Sequence, residues 1–342
     1  MAALSKLPLR QLGRNGPFVP RLGLGLMSAS GTYNAPLSEA DHLAFMDEAY
    51  KRGETFWDTA DKYGTSEDVL GKWFAANPDK REDIFLSSKF GIVLTPNQKP
   101  AFKIDSTPEY CRKAIESSLR RLNLPYIDMY YIHRLDKVTP IEKTMEAMVE
   151  LKNAGKIKYI GLSECSAESL RRAYAVHPIT AVQVEYSLFC RAIEFPQTRL
   201  LETARELGVA IVCYSPLGNG FLANTIHTRE DVKPGDARGH LPWLSEDNLE
   251  QNVAVVEKIA SIAASKGVSS AQLALAWLLV QGDDIFPIPG TTKAHRLVEN
   301  LESVHVSVSA GEEKVLRETA DAIVGARFQE MTGYAFADTP VL

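Results

Sequence analysis

Short apolar runs and amphipathic segments alternate along most of the chain. In the segment that begins at Thr107, "TPEYCRKAIESSLRRLNLPYIDMYYIH", Ile115, Leu119 and Leu122 fall on one helical face. Thr107 can cap this helix, and Pro108 suits its first turn. The apolar run that follows has the length of a buried strand. The pattern therefore predicts a helix followed by a strand.

The same unit recurs, often with a glycine between its helix and its strand. Gly155 and Gly208 each follow an amphipathic segment, where a glycine commonly ends a helix. Eight strands are predicted in this way, and they are "RLGLGL", "TFWD", "IFLSSKF", "IDMYYIH", "IKYIGLS", "AVQVEYS", "VAIVCYS" and "DIFPIPG". Alternating strands and helices predict an α/β fold with parallel strands. Eight such units favour a (β/α)8 TIM barrel over an open sheet.

Two further segments complete this picture. "LRQLGRNGPFVPRLG" precedes the first strand and predicts a β-hairpin that closes the barrel floor. Residues 217–247 are polar and rich in turn residues, and they predict a long loop after strand 7 on the catalytic face. No stretch rich in Pro, Gly or Ser resembles an interdomain linker, so we expect residues 1–342 to form a single barrel domain.

The composition narrows the possible partners. The chain has 342 residues, of which 45% are hydrophobic and 24% charged, as in ordinary soluble proteins. The net charge of −5 and the lack of a basic block argue against a nucleic-acid partner. The longest apolar run, "AQLALAWLLV", is too short to cross a bilayer, and the N-terminus has no apolar run typical of a signal peptide. Four scattered cysteines indicate reduced thiols without metal-like spacing. We therefore expect a cytoplasmic protein with neither a metal nor a membrane partner.

Four reactive side chains fall at consecutive strand ends, where barrel enzymes place their chemistry. Asp58 ends strand 2, Tyr63 follows in its loop, Lys89 ends strand 3 and His133 ends strand 4. Each residue alone has an ordinary explanation, such as a helix cap for Asp58 or a structural histidine for His133. Their combination at three consecutive strand ends is hard to attribute to chance, and it predicts a catalytic site.

These four groups suit carbonyl reduction. An unperturbed phenol has a pKa of about 10, and a nearby Lys89 ammonium is predicted to lower the pKa of Tyr63. Asp58 would keep Lys89 charged and in position, and His133 would hydrogen-bond a substrate oxygen. The result is a proton donor directed at a developing alkoxide. A hydride source is still required.

The motifs "FWDTADKYG", "SSKFG", "YYIHR", "YIGLSE", "QVEYS", "YSPLG" and "IPGTTKAHRLVEN" occur in that order. From about residue 8 to 325 the chain thus resembles the aldo-keto reductase superfamily. The resemblance implies a (β/α)8 barrel that reduces a small-molecule carbonyl substrate, with NADPH extended across its mouth. It also implies a catalytic tetrad of Asp58, Tyr63, Lys89 and His133, with Tyr63 as the general acid.

The resemblance extends to the cofactor site. Ser163 and Gln183 match positions that hold the nicotinamide amide, and Tyr214 matches the ring on which the nicotinamide stacks. Glu164 and Asn219 stand where many members have Asn and Arg, as in the long-loop branch near the aryl-alcohol and pyridoxal reductases. The remaining predicted cofactor residues are Ser215, Leu217, Gly290, Thr291, Thr292, Lys293, Arg296, Glu299 and Asn300.

The phosphate end of the cofactor site is also predicted from the residues themselves. "GTTKAHRLVEN" predicts a helix after strand 8, and helix N-termini bind phosphate. Lys293 and Arg296 lie three residues apart, so both can face one point. Cations are mildly unfavourable at a helix N-terminus without an anion, so the pair favours the 2′-phosphate of NADP. The resemblance suggests that Glu299 and Asn300 contact the adenine.

The sequence also offers candidates for the substrate pocket. Candidates for its lining are Met27, Phe90 and Arg134, together with the tail "RFQEMTGYAF". A tail aromatic, Phe328 or Tyr334, could equally pack on the surface.

Three alternatives stay open at this point. "GLGLMS", from Gly23 to Ser28, is close to a Rossmann fingerprint, but its third glycine is a serine and no helical pattern starts until about Ser38. A Schiff-base aldolase on the same barrel would use Lys89 as nucleophile. A non-catalytic NADP-binding regulatory subunit, like the potassium-channel β subunits that share this fold, would keep the cofactor site without turnover.

Overall fold

The structure is a computed structural model that describes residues 7–31, 33, 35–97, 101–327 and 333–342. Its strands are β1 (Leu9–Gln11), β2 (Phe18–Pro20), β3 (Leu24–Gly25), β4 (Phe56–Asp58), β5 (Phe85–Phe90), β6 (Ile92–Leu94), β7 (Phe102–Ile104), β8 (Ile127–Ile132), β9 (Ile157–Ser163), β10 (Ala181–Glu185), β11 (Ala210–Tyr214) and β12 (Ile285–Pro287). Its α-helices are α1 (Glu39–Lys51), α2 (Ser66–Ala76), α3 (Pro108–Leu122), α4 (Ile141–Asn153), α5 (Ala167–Val176), α6 (Leu200–Leu207), α7 (Glu246–Ser265), α8 (Ser270–Leu279), α9 (Ala294–Glu302) and α10 (Ala310–Ala320).

Eight parallel strands form a closed barrel in the order β3-β4-β5-β8-β9-β10-β11-β12. The first and last strands meet where Gly25 donates its N–H to the carbonyl of Pro289 at 3.2 Å and pairs with Gly290. A side chain at Gly25 would lie only 2.8 Å from the carbonyl oxygen of Ile288, so closure depends on glycine here. The predicted (β/α)8 barrel is confirmed.

The closed strand order excludes the Rossmann alternative. A Rossmann fingerprint requires a helix directly after the first strand. Here a short 3-10 turn, Met27–Ser30, follows β3, and the first α-helix begins at Glu39 with Ser38 as its cap. The glycines of this strand serve barrel closure.

The N-terminal hairpin fills the barrel floor as predicted. β1 and β2 pair in antiparallel fashion. Leu12 and Val19 are buried against the interior residues Phe56, Met129 and Phe286. The hairpin therefore removes apolar surface from water at the end of the barrel opposite the strand termini.

The predicted helix signals are also found. The Thr107 hydroxyl accepts the N–H of Tyr110 at 3.2 Å, and Pro108 opens α3. Gly155 and Gly208 follow α4 and α6 with φ of 73° and 72°, the left-handed region in which glycine ends a helix. These local signals set the helix lengths and hence the points at which the next strands begin.

The long loop after β11 consists of short 3-10 turns between residues 218 and 244, followed by α7. Among the described residues no single helix is long and apolar enough to cross a membrane, and only α7 and α8 taken together, across a bend of 88°, meet the length and composition of a span. All four cysteines are free thiols and buried.

Candidate active site

A cavity of about 430 Å³ opens at the carboxyl ends of the barrel strands. Most of the residues that the sequence predicted for the site line this cavity. They are Asp58, Tyr63, His133, Ser163, Gln183, Tyr214, Ser215, Leu217, Gly290, Thr291, Thr292, Arg296, Glu299 and Asn300, with Met27 and Arg134 from the predicted substrate pocket. Lys89 lies beneath the cavity, fully buried.

Lys89 and Asp58 form a buried ion pair at the ends of β5 and β4. The ammonium also donates to the carbonyl of Thr59 at 2.7 Å, and Gln183 donates to the second Asp58 oxygen, Oδ2, at 2.8 Å. Burial lowers the pKa of Lys89, with Asp58 opposing, and burial raises the pKa of Asp58, with Lys89 opposing. The charged state of this pair is therefore held only by its mutual attraction and hydrogen bonds.

The loop that carries Tyr63 is attached to the same strand end. Asp61 donates its N–H to the Lys89 carbonyl at 3.1 Å. Arg121 of α3 donates to the Asp61 carbonyl at 2.8 Å and to the Gly64 carbonyl, on either side of Tyr63. The phenol is thus fixed relative to Lys89 by backbone contacts on both sides.

Tyr63 lines the cavity, and its hydroxyl makes no hydrogen bond with a described residue. The Lys89 ammonium lies 5.2 Å from the centre of its ring. Burial and then Asp58 raise the pKa of Tyr63, with Arg134 opposing. The predicted lowering of this pKa is therefore wrong, because burial and the Asp58 carboxylate dominate. A raised pKa keeps the phenol protonated, as a proton donor must be.

His133 completes this group of Asp58, Tyr63, Lys89 and His133, which we call the catalytic cluster after the role that the sequence predicts for it. Its ring packs edge-on against Tyr63, with centroids 5.9 Å apart, and its backbone N–H binds the Phe90 carbonyl at 2.7 Å. Burial, Arg134 and Lys62 hold the pKa of His133 well below its usual range. The imidazole is therefore neutral, and it can donate a hydrogen bond to a substrate oxygen without carrying charge.

On the other side of the cavity lies a second buried cluster, which explains Glu164. One oxygen of Glu164, Oε1, accepts from the Tyr214 hydroxyl at 2.8 Å and from Arg327 at 2.5 Å. Arg327 also pairs with Glu185 at 3.2 Å. We call Glu164, Glu185, Tyr214 and Arg327 the tail cluster. It connects the C-terminal segment to the ring on which the sequence predicts that the nicotinamide stacks.

Asn219 also has defined partners. Its Oδ1 atom accepts from Tyr33 at 2.8 Å and from Ser215 at 3.1 Å. Arg238 of the long loop lines the cavity beside them, with its guanidinium 5.3 Å from the centre of the Tyr33 ring and paired to Asp236 at 2.6 Å. Arg238 thus places a cation in the part of the cavity where the family pattern has an Arg at the position of Asn219.

The phosphate end differs from the prediction in one residue. Helix α9 begins at Ala294 as expected, and Arg296 lines the cavity from its first turn. Lys293 is the cap residue, is exposed and does not line the cavity. Of the two cations that the sequence predicts for one phosphate, only Arg296 therefore lines the cavity.

Phe90 is not a pocket residue. Its side chain is fully buried and stacks on Tyr130, with ring centroids 5.2 Å apart. Successive side chains of a strand point to opposite faces, so Lys89 inside the barrel requires Phe90 outside it. Tyr334 packs near Phe102, with ring centroids 6.5 Å apart, and does not line the cavity. Phe328 lies outside the described residues.

Comparison with known proteins then decides the family. A model of the aldo/keto reductase family matches residues 21–320. The chain belongs to the aldo/keto reductase family. It is an oxidoreductase by this membership, as the sequence predicted.

Two relatives and one solved structure show how far the likeness extends. The chain is 42% identical over 339 residues to the NADP(+) aldo-keto reductase yakc of Schizosaccharomyces pombe, covering 98% of both chains. It is 42% identical over 343 residues to aldo-keto reductase str7 of Strobilurus tenacellus, covering 98% of this chain and 99% of that one. The structure of glycerol dehydrogenase AKR11B4 from Gluconobacter oxydans matches with a TM-score of 0.80 at 26% identity, covering 93% of this chain and 95% of that one. The cofactor predicted from the sequence is the one in the name of the S. pombe relative.

Several cavity residues of this aldo-keto reductase were missed by the sequence reasoning. Lys62 stands inside the quoted motif next to Tyr63, so its position was visible and only its role was overlooked. Tyr33 and Arg238 belong to loops whose packing no local pattern indicates. Within the described ranges, no three His, Cys, Asp or Glu side chains are grouped so that they could hold a metal ion.

Proposed function

We propose that this enzyme reduces an aldehyde or ketone to an alcohol with NADPH, with Tyr63 as the proton donor. The observation that carries the proposal is the position of Tyr63, which lines the cavity in contact with a neutral His133 and 5.2 Å from the ammonium of the buried Lys89–Asp58 pair. A protonated phenol and a neutral imidazole N–H can both bind one carbonyl oxygen as it gains negative charge.

The residues along the cavity fit NADPH. The Tyr214 ring offers an apolar face, and Arg296 at the N-terminus of α9 has no ion-pair partner in the described chain. Free backbone N–H groups and the helix dipole favour a phosphate there. Glu299 and Asn300 lie one turn further along the same helix and line the cavity, where they would contact the adenine. Bound NADPH supplies the hydride.

Each residue then has a defined task. Tyr63 donates its proton to the carbonyl oxygen, and His133 holds that oxygen by a hydrogen bond. Lys89 and Asp58 exchange no atoms with the substrate. They act on the phenol through their charges, since the Lys89 ammonium lies 5.2 Å from the centre of the Tyr63 ring. Gln183 donates its amide N–H to Asp58, which leaves its carbonyl oxygen for the nicotinamide amide. Ser163 has the same predicted partner.

The test is oxidation of NADPH, followed at its absorbance, with a panel of aliphatic and aromatic aldehydes. The wild type is expected to turn over, whereas Tyr63→Phe binds NADPH and does not. Tight NADPH binding without turnover of any carbonyl would instead favour the regulatory-subunit alternative. Borohydride trapping of a ketone on Lys89 would favour the aldolase.

We further infer that the enzyme acts in the cytoplasm. The support is the set of four unpaired, buried thiols in a chain of ordinary soluble composition. Fractionation of the native host cell, with the protein detected by antibody, tests this inference, and recovery in a membrane or secreted fraction would contradict it.

A further inference from the structure

Two cations at the reactive end of the cavity lack a carboxylate partner. Lys62 directly precedes Tyr63 and Arg134 directly follows His133, and both are half-buried and line the cavity. Neither forms an ion pair with any residue that the structure describes. The Lys62 ammonium has no hydrogen-bond partner there either. Arg134 uses one nitrogen, Nη1, to donate to the His133 carbonyl at 2.6 Å and to Ser163 at 3.0 Å.

This arrangement is unfavourable without an anion. Half-buried cations elsewhere in the described chain are commonly paired, as Arg238 is with Asp236 at 2.6 Å. Burial and then the neighbouring Arg134 lower the pKa of Lys62 to about 8, with Asp61 opposing. Taking a charge out of water costs free energy that only an opposite charge recovers. Two such cations on one cavity wall therefore indicate the place of a bound anion.

The phosphates of the cofactor do not account for this pair. Arg296 and Arg238, the cations suited to phosphate, lie after β12 and β11. Lys62 and Arg134 lie after β4 and β8, and each is the chain neighbour of a residue that faces the reacting carbonyl. An anion bound by Lys62 and Arg134 must therefore lie close to the reacting carbon.

We propose that the substrate carries a carboxylate, which Lys62 and Arg134 bind while its carbonyl oxygen faces Tyr63 and His133. The inference rests on the proposed carbonyl reduction and names its substrate class, an aldehyde or ketone acid. The Arg134 guanidinium makes no hydrogen bond through Nη2 or Nε with a described residue, so these atoms can bind a planar carboxylate, and Lys62 adds a point charge nearby.

The experiment compares 2-, 3- and 4-formylbenzoate and 4-oxobutanoate, each against its uncharged carboxamide, at saturating NADPH. The readout is the ratio of kcat/KM for the acid to that for the amide, measured within one protein so that general changes in catalysis cancel. For the best pair we expect a ratio of roughly 10 to 150 in the wild type, the range of one charge-assisted hydrogen bond. Lys62→Met should lower the ratio about tenfold or more, and Lys62→Arg should keep it within about threefold.

Arg134→Gln supplies the second arm, because its amide can still donate to Ser163 while the charge is gone. A ratio near one for every pair in the wild type would overturn the proposal while leaving carbonyl reduction intact. No turnover of any aldehyde would instead reject the proposed function. Acid-to-amide ratios that stay unchanged in both Lys62→Met and Arg134→Gln would also overturn the proposal. If Lys62→Met instead lost affinity for NADPH, Lys62 would be assigned to the cofactor and the proposal would likewise fail.

Discussion

Two buried clusters of charge flank one cavity, and burial and pairing balance differently in them. In the catalytic cluster burial prevails, because the pKa of Lys89 falls and that of Asp58 rises. In the tail cluster the pKa of Arg327 is raised, although burial alone would lower it, because Glu164 and the other acids around it outweigh burial. In the tail cluster burial also raises the pKa of Glu185, to about 7, although Arg327 opposes it. The Lys89–Asp58 pair is thus easily shifted between charged and neutral forms, whereas in the tail cluster Arg327 itself keeps its charge.

This difference indicates different tasks. A catalytic group must respond when charge develops on the substrate, and a pair whose charges are weakly held can respond. A group that only fixes the geometry of a site is more effective when its charge is strongly held, because its position then does not change with protonation. Arg327 holds Glu164, and Glu164 holds the Tyr214 hydroxyl, so the tail cluster sets the position of the ring rather than taking part in proton transfer.

The largest expected effect is that of Tyr63→Phe. Removing the proton donor should lower kcat by roughly 10²- to 10⁴-fold, the range of general acid catalysis. The phenyl ring keeps the edge-on contact with His133, so NADPH should bind with nearly unchanged affinity, as measured by fluorescence titration. A variant that retains more than about a tenth of the wild-type kcat would rule out Tyr63 as the donor.

Arg327→Met should act on stability. It leaves Glu164 buried without its partner, and breaking a buried pair from one side costs about 3–5 kcal/mol. Glu185 also loses Arg327, but burial raises its pKa to about 7, so this carboxyl can take up a proton. Urea unfolding measures the loss of stability. The double variant Arg327→Met, Glu164→Gln removes one stranded charge while keeping an acceptor for Tyr214, and it should recover part of the loss. A single variant with the wild-type free energy of unfolding would contradict an ionic structural role for the tail cluster.

Lys89→Met is the matched test in the catalytic cluster. It should lower kcat at least tenfold, and its loss of unfolding free energy should be smaller than that of Arg327→Met. The reason is that the pKa of Asp58 is already raised by burial, so the stranded carboxyl can take up a proton. Equal losses of stability in the two variants, measured by the same urea titration, would remove the distinction between the clusters.

The two clusters also differ in how far the sequence could reveal them. Asp58, Tyr63, Lys89 and His133 each follow an apolar strand in consecutive units, so the barrel topology alone brings them together. Arg327 and Glu164 are 163 residues apart, and the tail has no periodic pattern that predicts where it packs. The fold and the catalytic cluster were predictable because their signals are local and repeated.

Two errors have the same origin. The sequence prediction places Phe90 in the pocket, although the alternation of side chains along a strand puts it on the face opposite Lys89. The pKa of Tyr63 was inferred from one nearby cation, whereas burial, which no sequence pattern states, has the larger effect. Both errors concern the surroundings of a residue rather than its position in the chain.

Arg296→Ala tests the far end of the cavity, away from both clusters. NADPH and NADH differ only in the 2′-phosphate, so the variant should bind NADPH roughly 10- to 30-fold more weakly and NADH nearly as before. This range is at the low end for a charged hydrogen bond because Arg296 is exposed, and added salt should reduce it further. Lys293→Ala is the control, with little effect expected since Lys293 does not line the cavity. Equal losses for both cofactors would assign Arg296 to the fold or the adenine.

The smallest expected effect is a change with pH in the preference for an acid substrate, which depends on the charge of Lys62 beside the catalytic cluster. Its pKa of about 8 reflects burial, Arg134 and Lys89 on one side and Asp61 on the other. Lys62 is charged below that pH and neutral above it, so the preference for an acid over its amide should be full at pH 7 and fall about tenfold by pH 9. Lys62→Arg stays charged throughout, so its preference should stay flat over the same range. A flat profile in the wild type, or an equal fall in Lys62→Arg, would show that another group titrates.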